Sequence, residues 1–182
     1  MKNLGTQTLE TNRLILRKFT PADACGMFLG WASDERTTRY LSWNPHCNIE
    51  ETQSLINNWI QRYDDNCYNW AVELKSTHEL IGNISAISVN KRHHNCEIGY
   101  CYGSKYWSQG YATEALKAVL HYMLYDCEMH LVEAKHQSMN PASGKVMEKA
   151  GMTKDAVLKE RRYHAPTGTY CDLVCYSKKR QF

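Results

Sequence analysis

The stretch Ser108-Gln109-Gly110 leads directly into Tyr111-Ala112-Thr113, so a turn-prone segment meets the start of a strong helix with no capping aspartate. The first turn of a helix has backbone N–H groups without partners and roughly half a positive charge from its aligned peptide dipoles. Gly110 lets the backbone approach a ligand closely, and the small Ala112 keeps the turn uncrowded. This pattern is typical of a phosphate or pyrophosphate held on main-chain amides. Alternatively, Gly110 only makes a tight turn and Ser108 caps the helix.

Two common phosphate-binding motifs are absent around this turn. No G-K-[ST] follows the glycine, and no G-x-G-x-x-G fingerprint is present. The strands before the turn are predicted to be antiparallel, which disfavours a βαβ nucleotide-binding fold. The predicted phosphate site therefore belongs to another structural class.

The elements that would position this site follow from the hydrophobic periodicity. Alternating apolar and polar residues predict strands at 13–19, 68–74, 80–89, 96–103, 130–137, 155–164 and 169–179. Helices are predicted from Thr20-Pro21 to about Trp31, over 49–63, from Tyr111, and from Pro141 to about Ala150, with a loop or short helix at 36–45. Short polar loops predict an antiparallel meander between 68 and 103, and a turn at 165–168. We therefore predict a single α+β domain over residues 1–182.

Composition narrows the function classes. A chain of 182 residues suits one domain with a full core, and its net charge of +3 is too small to indicate nucleic-acid binding. No apolar run is long enough for a membrane span, and the N-terminus lacks the apolar core of a signal peptide. We expect a cytoplasmic protein with no direct nucleic-acid partner and no membrane contact.

The eight cysteines are scattered and include no C-x-x-C pair, so free thiols are expected. His93, His94 and Cys96 are the only dense group of metal-ligand types. No second half of a tetrahedral ligand set follows them, so we interpret the group as a polar turn before a strand and predict no metal site.

Two longer segments carry a family resemblance. "CEIGYCYGSKYWSQGYATEAL", which begins at Cys96, and "NPASGKVMEKAGM", which begins at Asn140, together resemble the GNAT superfamily of acetyl-CoA-dependent N-acetyltransferases. Within it they resemble the branch of ribosomal-protein N-terminal (alanine or serine) acetyltransferases. The opening "LETNRLILRKFTPADA" and closing "YCDLVCYSKKR" fit the same branch. The resemblance implies a mixed, mostly antiparallel central sheet flanked by helices, with acetyl-CoA as co-substrate and no metal.

The resemblance also assigns residues to coenzyme A. The family's phosphate loop is usually Q/R-x-x-G-x-G/A; Gly110 and Ala112 match its last two positions, whereas Trp107 replaces the Gln or Arg. By resemblance, the strand at Ile98-Gly99-Tyr100-Cys101 pairs with the pantetheine arm, and its backbone supplies the oxyanion donor. The implied pyrophosphate ligands are the backbones of Gln109, Gly110, Tyr111, Ala112 and Thr113.

Direct acetyl transfer to an amine requires a neutral amine, donors for the oxyanion, and a proton for the departing thiolate. The candidates near the thiolate are Asn140 and Ser143. Alternatively, Asn140 has no part in the chemistry and serves only as the cap of the helix that begins at Pro141. The resemblance places Ser143 where the thiol emerges, as the proton donor or a contact of the sulfur.

Glu97 is the first candidate for the general base, ahead of Glu73 and Glu160, although all three could be plain exposed strand carboxylates. An α-amine with a pKa of about 8 is roughly a tenth neutral at pH 7, whereas a lysine is only about 0.04% neutral. A weak base therefore suffices for a protein N-terminus. The lack of an obvious histidine base favours that acceptor.

Aromatic residues are expected around the acceptor, partly through cation–π contact. They are Trp31, Tyr40, Trp43, Trp70 and Tyr163, of which Trp70, like Trp59, is also predicted to be core. Arg161 and Arg162 could meet an acidic acceptor or could simply be solvated. We expect an N-acetyltransferase for a peptide or protein N-terminal amine, such as that of a ribosomal protein. A small-molecule acetyltransferase (for a polyamine, amino-acid derivative or antibiotic), an acyl-CoA-binding module without turnover, and a homodimer all stay open.

Overall fold

The computed structural model describes residues 1–164 and 167–181. Eight strands form one sheet in the order β1-β2-β3-β4-β5-β6-β8-β7. The strands are β1 (Leu9–Glu10), β2 (Leu14–Arg17), β3 (Asn69–Leu74), β4 (Leu80–Asn90), β5 (Asn95–Tyr102), β6 (Leu131–Gln137), β7 (Thr153–His164) and β8 (Thr169–Lys179). Neighbouring strands are antiparallel except β5 and β6, which are parallel. The predicted meander and the mixed, mostly antiparallel sheet are confirmed.

Five α-helices flank this sheet in the described part of the chain. They are α1 (Asp23–Met27), α2 (Glu35–Thr38), α3 (Ile49–Gln61), α4 (Tyr111–His121) and α5 (Pro141–Lys149). α1 and α4 each continue into a π-helical turn, at Phe28–Ala32 and Tyr122–Asp126. The predicted helices at 49–63, from Tyr111 and from Pro141 are therefore present within a few residues.

The sheet is the middle layer between two apolar cores. Leu116 and Val119 of α4 and Met147 of α5 belong to the larger cluster, whereas Trp31 and Ile56 belong to a smaller cluster with α1 and α3. Side chains of a strand alternate between faces, so β5 contributes Ile98 and Tyr102 to the larger cluster and Cys101 to the smaller one. Burying each large apolar side chain contributes about 1.5–3 kcal/mol. α4 and α5 thus share one face of the sheet, and α1 and α3 share the other.

The predicted start of the first helix is wrong by two residues. α1 begins at Asp23, and its N-cap residue, Ala22, makes no side-chain cap. The Asp23 carboxylate accepts hydrogen bonds from the Thr20 N–H (2.7 Å) and hydroxyl (3.2 Å), and from both Nη atoms of Arg17 (2.8 Å each). Burial raises the pKa of Asp23, but the hydrogen bonds from Arg17 and Thr20 lower it by more, so the pKa of this carboxyl lies below its usual value. The Thr20-Pro21 turn therefore belongs to an ion-pair cluster instead of capping a helix.

The structure also describes the histidine turn, the cysteines and the helices that bear on metal binding and membrane contact. His93 and His94 lie in the turn before β5, as predicted, and all eight cysteines are free. Within residues 1–164 and 167–181, no group of three His, Cys, Asp or Glu side chains could hold a metal ion. No described helix is long and apolar enough to cross a membrane. The predicted turn at 165–168 includes Ala165 and Pro166, which lie outside the described residues.

Candidate active site

A gap opens between the two middle strands of the sheet. β5 and β6 pair from Asn95↔Leu131 to Ile98↔Ala134 and then stop, although β5 continues to Tyr102 and β6 to Gln137. Beyond Ile98, β5 keeps its pairing with β4 on one side, and no described strand pairs with its other edge. Backbone N–H and C=O groups need partners, so an extended amide-containing chain could bind along this edge.

The N-terminus of α4 has no side-chain cap. Its N-cap residue, Gly110, has a φ of +83°, in the left-handed region that favours glycine. The helix's hydrogen bonding starts with the Glu114 N–H, which donates to the Gly110 carbonyl at 3.0 Å. The N–H groups of Tyr111, Ala112 and Thr113 precede that bond and form the helix's unpaired first turn. The absence of a cap is confirmed, and the alternative in which Ser108 caps the helix is wrong.

Three residues missed by the sequence analysis hold this terminus in place. The Glu114 carboxylate accepts hydrogen bonds from the Thr11 hydroxyl (2.6 Å), the Arg13 N–H (2.9 Å) and the Arg13 Nε (2.7 Å). Burial raises the pKa of Glu114, but the bonds from Thr11 and Arg13 lower it to below its ordinary value. Glu114 therefore stays ionised and ties the β1–β2 turn to α4.

A groove of about 600 Å³ runs along the same helix. Its lining residues are Thr11, Asn12, Gly110, Thr113, Glu114, Lys117, Ala118 and Lys149. Lys117 of α4 and Lys149 of α5 give it positive charge next to the positive end of the α4 dipole. The combination suits an anionic ligand.

At the gap, a tyrosine of β5 meets the start of α5. The Tyr100 hydroxyl lies 2.9 Å from the Ser143 Oγ and donates to the Ser143 carbonyl at 3.0 Å. Burial raises the pKa of Tyr100, so the phenol stays protonated at neutral pH. Tyr100 and Ser143 were each predicted to border the cofactor, and the structure brings their hydroxyls together where β5 has left β6.

Two residues set the position of α5. Asn140 is its N-cap, and its side chain accepts from the Ser143 N–H at 3.4 Å, ahead of Pro141 in the first turn. A Cβ at Gly144 would lie 2.6 Å from the Nε2 of buried His136, near the end of β6. Glycine at 144 therefore allows α5 to pack closely on β6, which brings Ser143 to the gap.

The three candidate bases have different surroundings. Glu97 accepts from the Lys135 Nζ at 2.6 Å, and it alternates onto the Cys101 side of β5, opposite Tyr100. Glu73 is buried and bound to Arg17 (2.6 Å) and His78 (2.7 Å). Glu160 is exposed at an irregular point of β7, and its N–H donates to Asp172. In the described structure, none of the three is hydrogen-bonded to Ser143.

The predicted aromatics are dispersed. Trp31 and Trp70 are fully buried, so neither presents a surface to an acceptor, while Trp43 is half-buried and Tyr163 is 55% exposed. Half-buried Trp59 packs on the smaller core, and Arg161 and Arg162 are exposed. One of the predicted aromatics is hydrogen-bonded to the end of β6. The Tyr40 carbonyl accepts from the Gln137 side chain at 3.2 Å, and the centre of the Tyr40 ring lies 5.5 Å from that of His164, on which it stacks. Tyr40 is therefore the predicted aromatic that the described structure links directly to β6 near the gap.

Comparison with known proteins agrees with this geometry. Residues 13–153 match the family model described as an acetyltransferase (GNAT) domain. YoaA, an uncharacterized N-acetyltransferase of Bacillus subtilis (strain 168), is 34% identical over 170 residues, which are 93% of this chain and 94% of that protein. The [ribosomal protein uS5]-alanine N-acetyltransferase of Escherichia coli (strain K12) is 26% identical over 168 residues, 87% of this chain and 84% of that protein.

A solved structure extends the likeness to the fold. The GNAT-family acetyltransferase from Bacillus anthracis superposes with a TM-score of 0.85 at 27% identity, covering 96% of this chain and 99% of that one. The motifs, the sheet with its central gap and these relatives all indicate the same assignment. The chain belongs to the GNAT acetyltransferase family, as its motifs implied, and is an acetyl-CoA-dependent acyltransferase.

Proposed function

We propose that this enzyme acetylates a protein or peptide N-terminal amine by direct attack on acetyl-CoA, with a ribosomal protein as the leading substrate. The observation that carries the chemistry is the Tyr100–Ser143 hydroxyl pair at the gap between β5 and β6. The choice of acceptor is supported by relatives. One is the uS5-alanine enzyme, and another is a solved ribosomal L7/L12 alpha-N-protein acetyltransferase in complex with coenzyme A, whose fold superposes with a TM-score of 0.83.

Coenzyme A would lie along the face that carries α4 and α5. The backbone N–H groups from Gln109 to Thr113 would bind its pyrophosphate, because no side chain caps them. The edge of β5 from Ile98, its last residue paired with β6, through Gly99 and Tyr100 would pair with the pantetheine amides. Asn140 and Ser143 would then border the thioester, with Asn140 acting through the cap that positions Ser143.

The transfer step uses groups of this chain in named roles. The neutral amine attacks the thioester carbonyl, and a backbone N–H of β5 near Gly99 donates to the oxyanion. The C–N bond forms and the C–S bond breaks, so the thiolate leaves with the bonding electrons. It takes a proton from the Ser143 hydroxyl. The Tyr100 phenol, 2.9 Å away, would turn from the Ser143 carbonyl to return a proton to the Ser143 Oγ, and water would then reprotonate Tyr100.

The amine would approach from the opposite face of the sheet, because α4 and α5 cover the face that binds coenzyme A. Glu97 lies on that opposite face, so it remains our first candidate to receive the proton of the amine, directly or through water. It would need to release Lys135 in part. An α-amine needs little help from a base such as Glu97, since roughly a tenth of it is already neutral at pH 7.

The proposal is tested by offering isotope-labelled acetyl-CoA and the enzyme to a desalted cell extract, with the small-molecule fraction assayed separately. Label mapped by mass spectrometry to protein N-termini is the expected result, and it would name the substrate. Glu97→Gln should lower the rate of that labelling without changing the affinity for coenzyme A. Label found only in small molecules would replace the proposed acceptor with a metabolite or antibiotic amine. The similar fold of a microcin C7 self-immunity acetyltransferase bound to acetyl-CoA and AMP is consistent with that outcome.

A further inference from the structure

The Arg13 side chain makes three contacts with the loop and helix that the proposed function assigns to the coenzyme A pyrophosphate. Its Nε donates to Glu114 at 2.7 Å, and its Nη1 donates to the Gln109 carbonyl at 3.0 Å. Its guanidinium carbon lies 4.4 Å from the centre of the Tyr111 ring. A Cβ at Gly110 would lie 3.4 Å from its Nη2. One planar side chain therefore contacts Gln109, Tyr111 and Glu114 and lies beside Gly110.

These contacts address two physical problems of a phosphate loop. Gly110 can adopt many backbone conformations, so without an outside contact its loop would be free to move away from the binding geometry. The bond from Arg13 to the Gln109 carbonyl fixes the residue before the glycine. The second problem is the negative charge of Glu114 in the first turn of α4, close to where the pyrophosphate would bind. Arg13 pairs with that charge.

The backbone of Arg13 is itself anchored. Its N–H donates to Glu114, and its carbonyl accepts from the Lys75 N–H at 2.9 Å. The β1–β2 turn thus serves as a rigid base from which the guanidinium reaches α4. Lysine has one terminal ammonium group and could not make the carboxylate, carbonyl and ring contacts together.

We infer that Arg13 is a positioning residue for the cofactor, which holds the loop from Gln109 to Tyr111 in its phosphate-binding conformation and neutralises Glu114. This inference rests on the proposed function. It gives Arg13, in the N-terminal motif, a role that the transfer chemistry does not assign to it.

The test is titration calorimetry of CoA and of dephospho-CoA with wild-type enzyme, Arg13→Gln and Arg13→Lys. Arg13→Gln should raise the Kd of both ligands by the same factor, about tenfold, because both contain the pyrophosphate. Arg13→Lys should stay weak although it keeps the charge. Lys75→Gln is the matched control: it removes a neighbouring positive charge paired with Glu10 at 2.8 Å, away from the loop, and should bind like wild type.

Affinity restored by Arg13→Lys, or left unchanged in Arg13→Gln, would overturn the inference. Should Arg13→Gln fail to fold, the Kd of CoA is measured for Glu114→Gln instead. A Kd raised severalfold would support the positioning role, whereas tighter binding would show that Glu114 acts only as a repelling charge. Wild-type enzyme that bound no CoA would overturn the proposed function and this inference together. Wild-type binding with an unaffected Arg13→Gln would overturn this inference alone.

Discussion

Two helices on the same face of the sheet begin in opposite ways. α5 starts with Asn140, whose side chain accepts from the Ser143 N–H. On the other face of the sheet, α3 starts in the same way with Asn48, which accepts from the Glu51 N–H at 3.0 Å. α4 starts with Gly110 and has no side-chain cap. An ordinary cap contributes about 1 kcal/mol, so α4 forgoes a stabilisation that both other helices use. The comparison indicates that the first turn of α4 is kept open for a ligand, while that of α5 is closed to hold Ser143 still.

Among the variants that separate the roles of the two helices, Ser143→Ala should have the largest effect. If α5 supplies the chemistry and α4 the binding, kcat should fall by about a hundredfold, as for loss of a proton donor, with the Kd of CoA unchanged. Initial rates on the labelled substrate and titration calorimetry measure the two quantities. Ser54→Ala, at an exposed position of α3, is the matched control. An unchanged kcat would remove Ser143 from the chemistry.

Gly110→Val should have the next largest effect, on binding. A φ of +83° strains any residue with a Cβ, by roughly 1–2 kcal/mol, and a branched side chain would also block the approach of a phosphate. We expect the Kd of acetyl-CoA to rise at least about tenfold in calorimetry.

Gly30→Ala is the control for the loss of a glycine, because a Cβ there meets no atom within 4 Å. A folded Gly110→Val protein with wild-type affinity would show that the loop does not bind the cofactor.

Asn140→Ala should have the smallest effect of the three substitutions. Loss of the cap should lower the free energy of unfolding by about 1 kcal/mol, and Asn48→Ala in α3 should do the same. Urea denaturation measures both. The Kd of CoA should change by less than about twofold, because this cap supports the helix and leaves the ligand untouched. A much larger loss of affinity would mean that Asn140 binds the cofactor directly.

The sequence predicted what depends on local pattern. Gly110 at a helix start, the short polar loops of the meander and Pro141 after Asn140 each act within a few residues, so the sheet and the open N-terminus of α4 could be expected. The residues that complete the site lie far apart in the chain. Arg13 and Glu114 are separated by 101 positions, and Tyr100 and Ser143 by 43. Such pairings depend on how strands and helices pack, which periodicity does not encode.

Two errors have the same physical origin. Thr20 resembles a helix cap, but Arg17 draws the Asp23 carboxylate into an ion-pair cluster that takes the Thr20 hydroxyl instead. Trp31 was expected near the acceptor, yet it lies fully buried between the sheet, α1 and α3. In both cases a tertiary contact outweighed a local preference.

We expect the uncapped first turn of α4 to bind acetyl-CoA, and amide NMR observes the backbone N–H groups of that turn directly. A ¹⁵N-labelled sample titrated with acetyl-CoA should show its largest amide shifts from Gln109 to Thr113 and along the free edge of β5 near Gly99. The capped first turn of α3, at Ile49 to Glu51, should stay unshifted and serves as the internal control. Binding that left the amide signals of Gln109 to Thr113 unshifted would show that the first turn of α4 does not hold the cofactor.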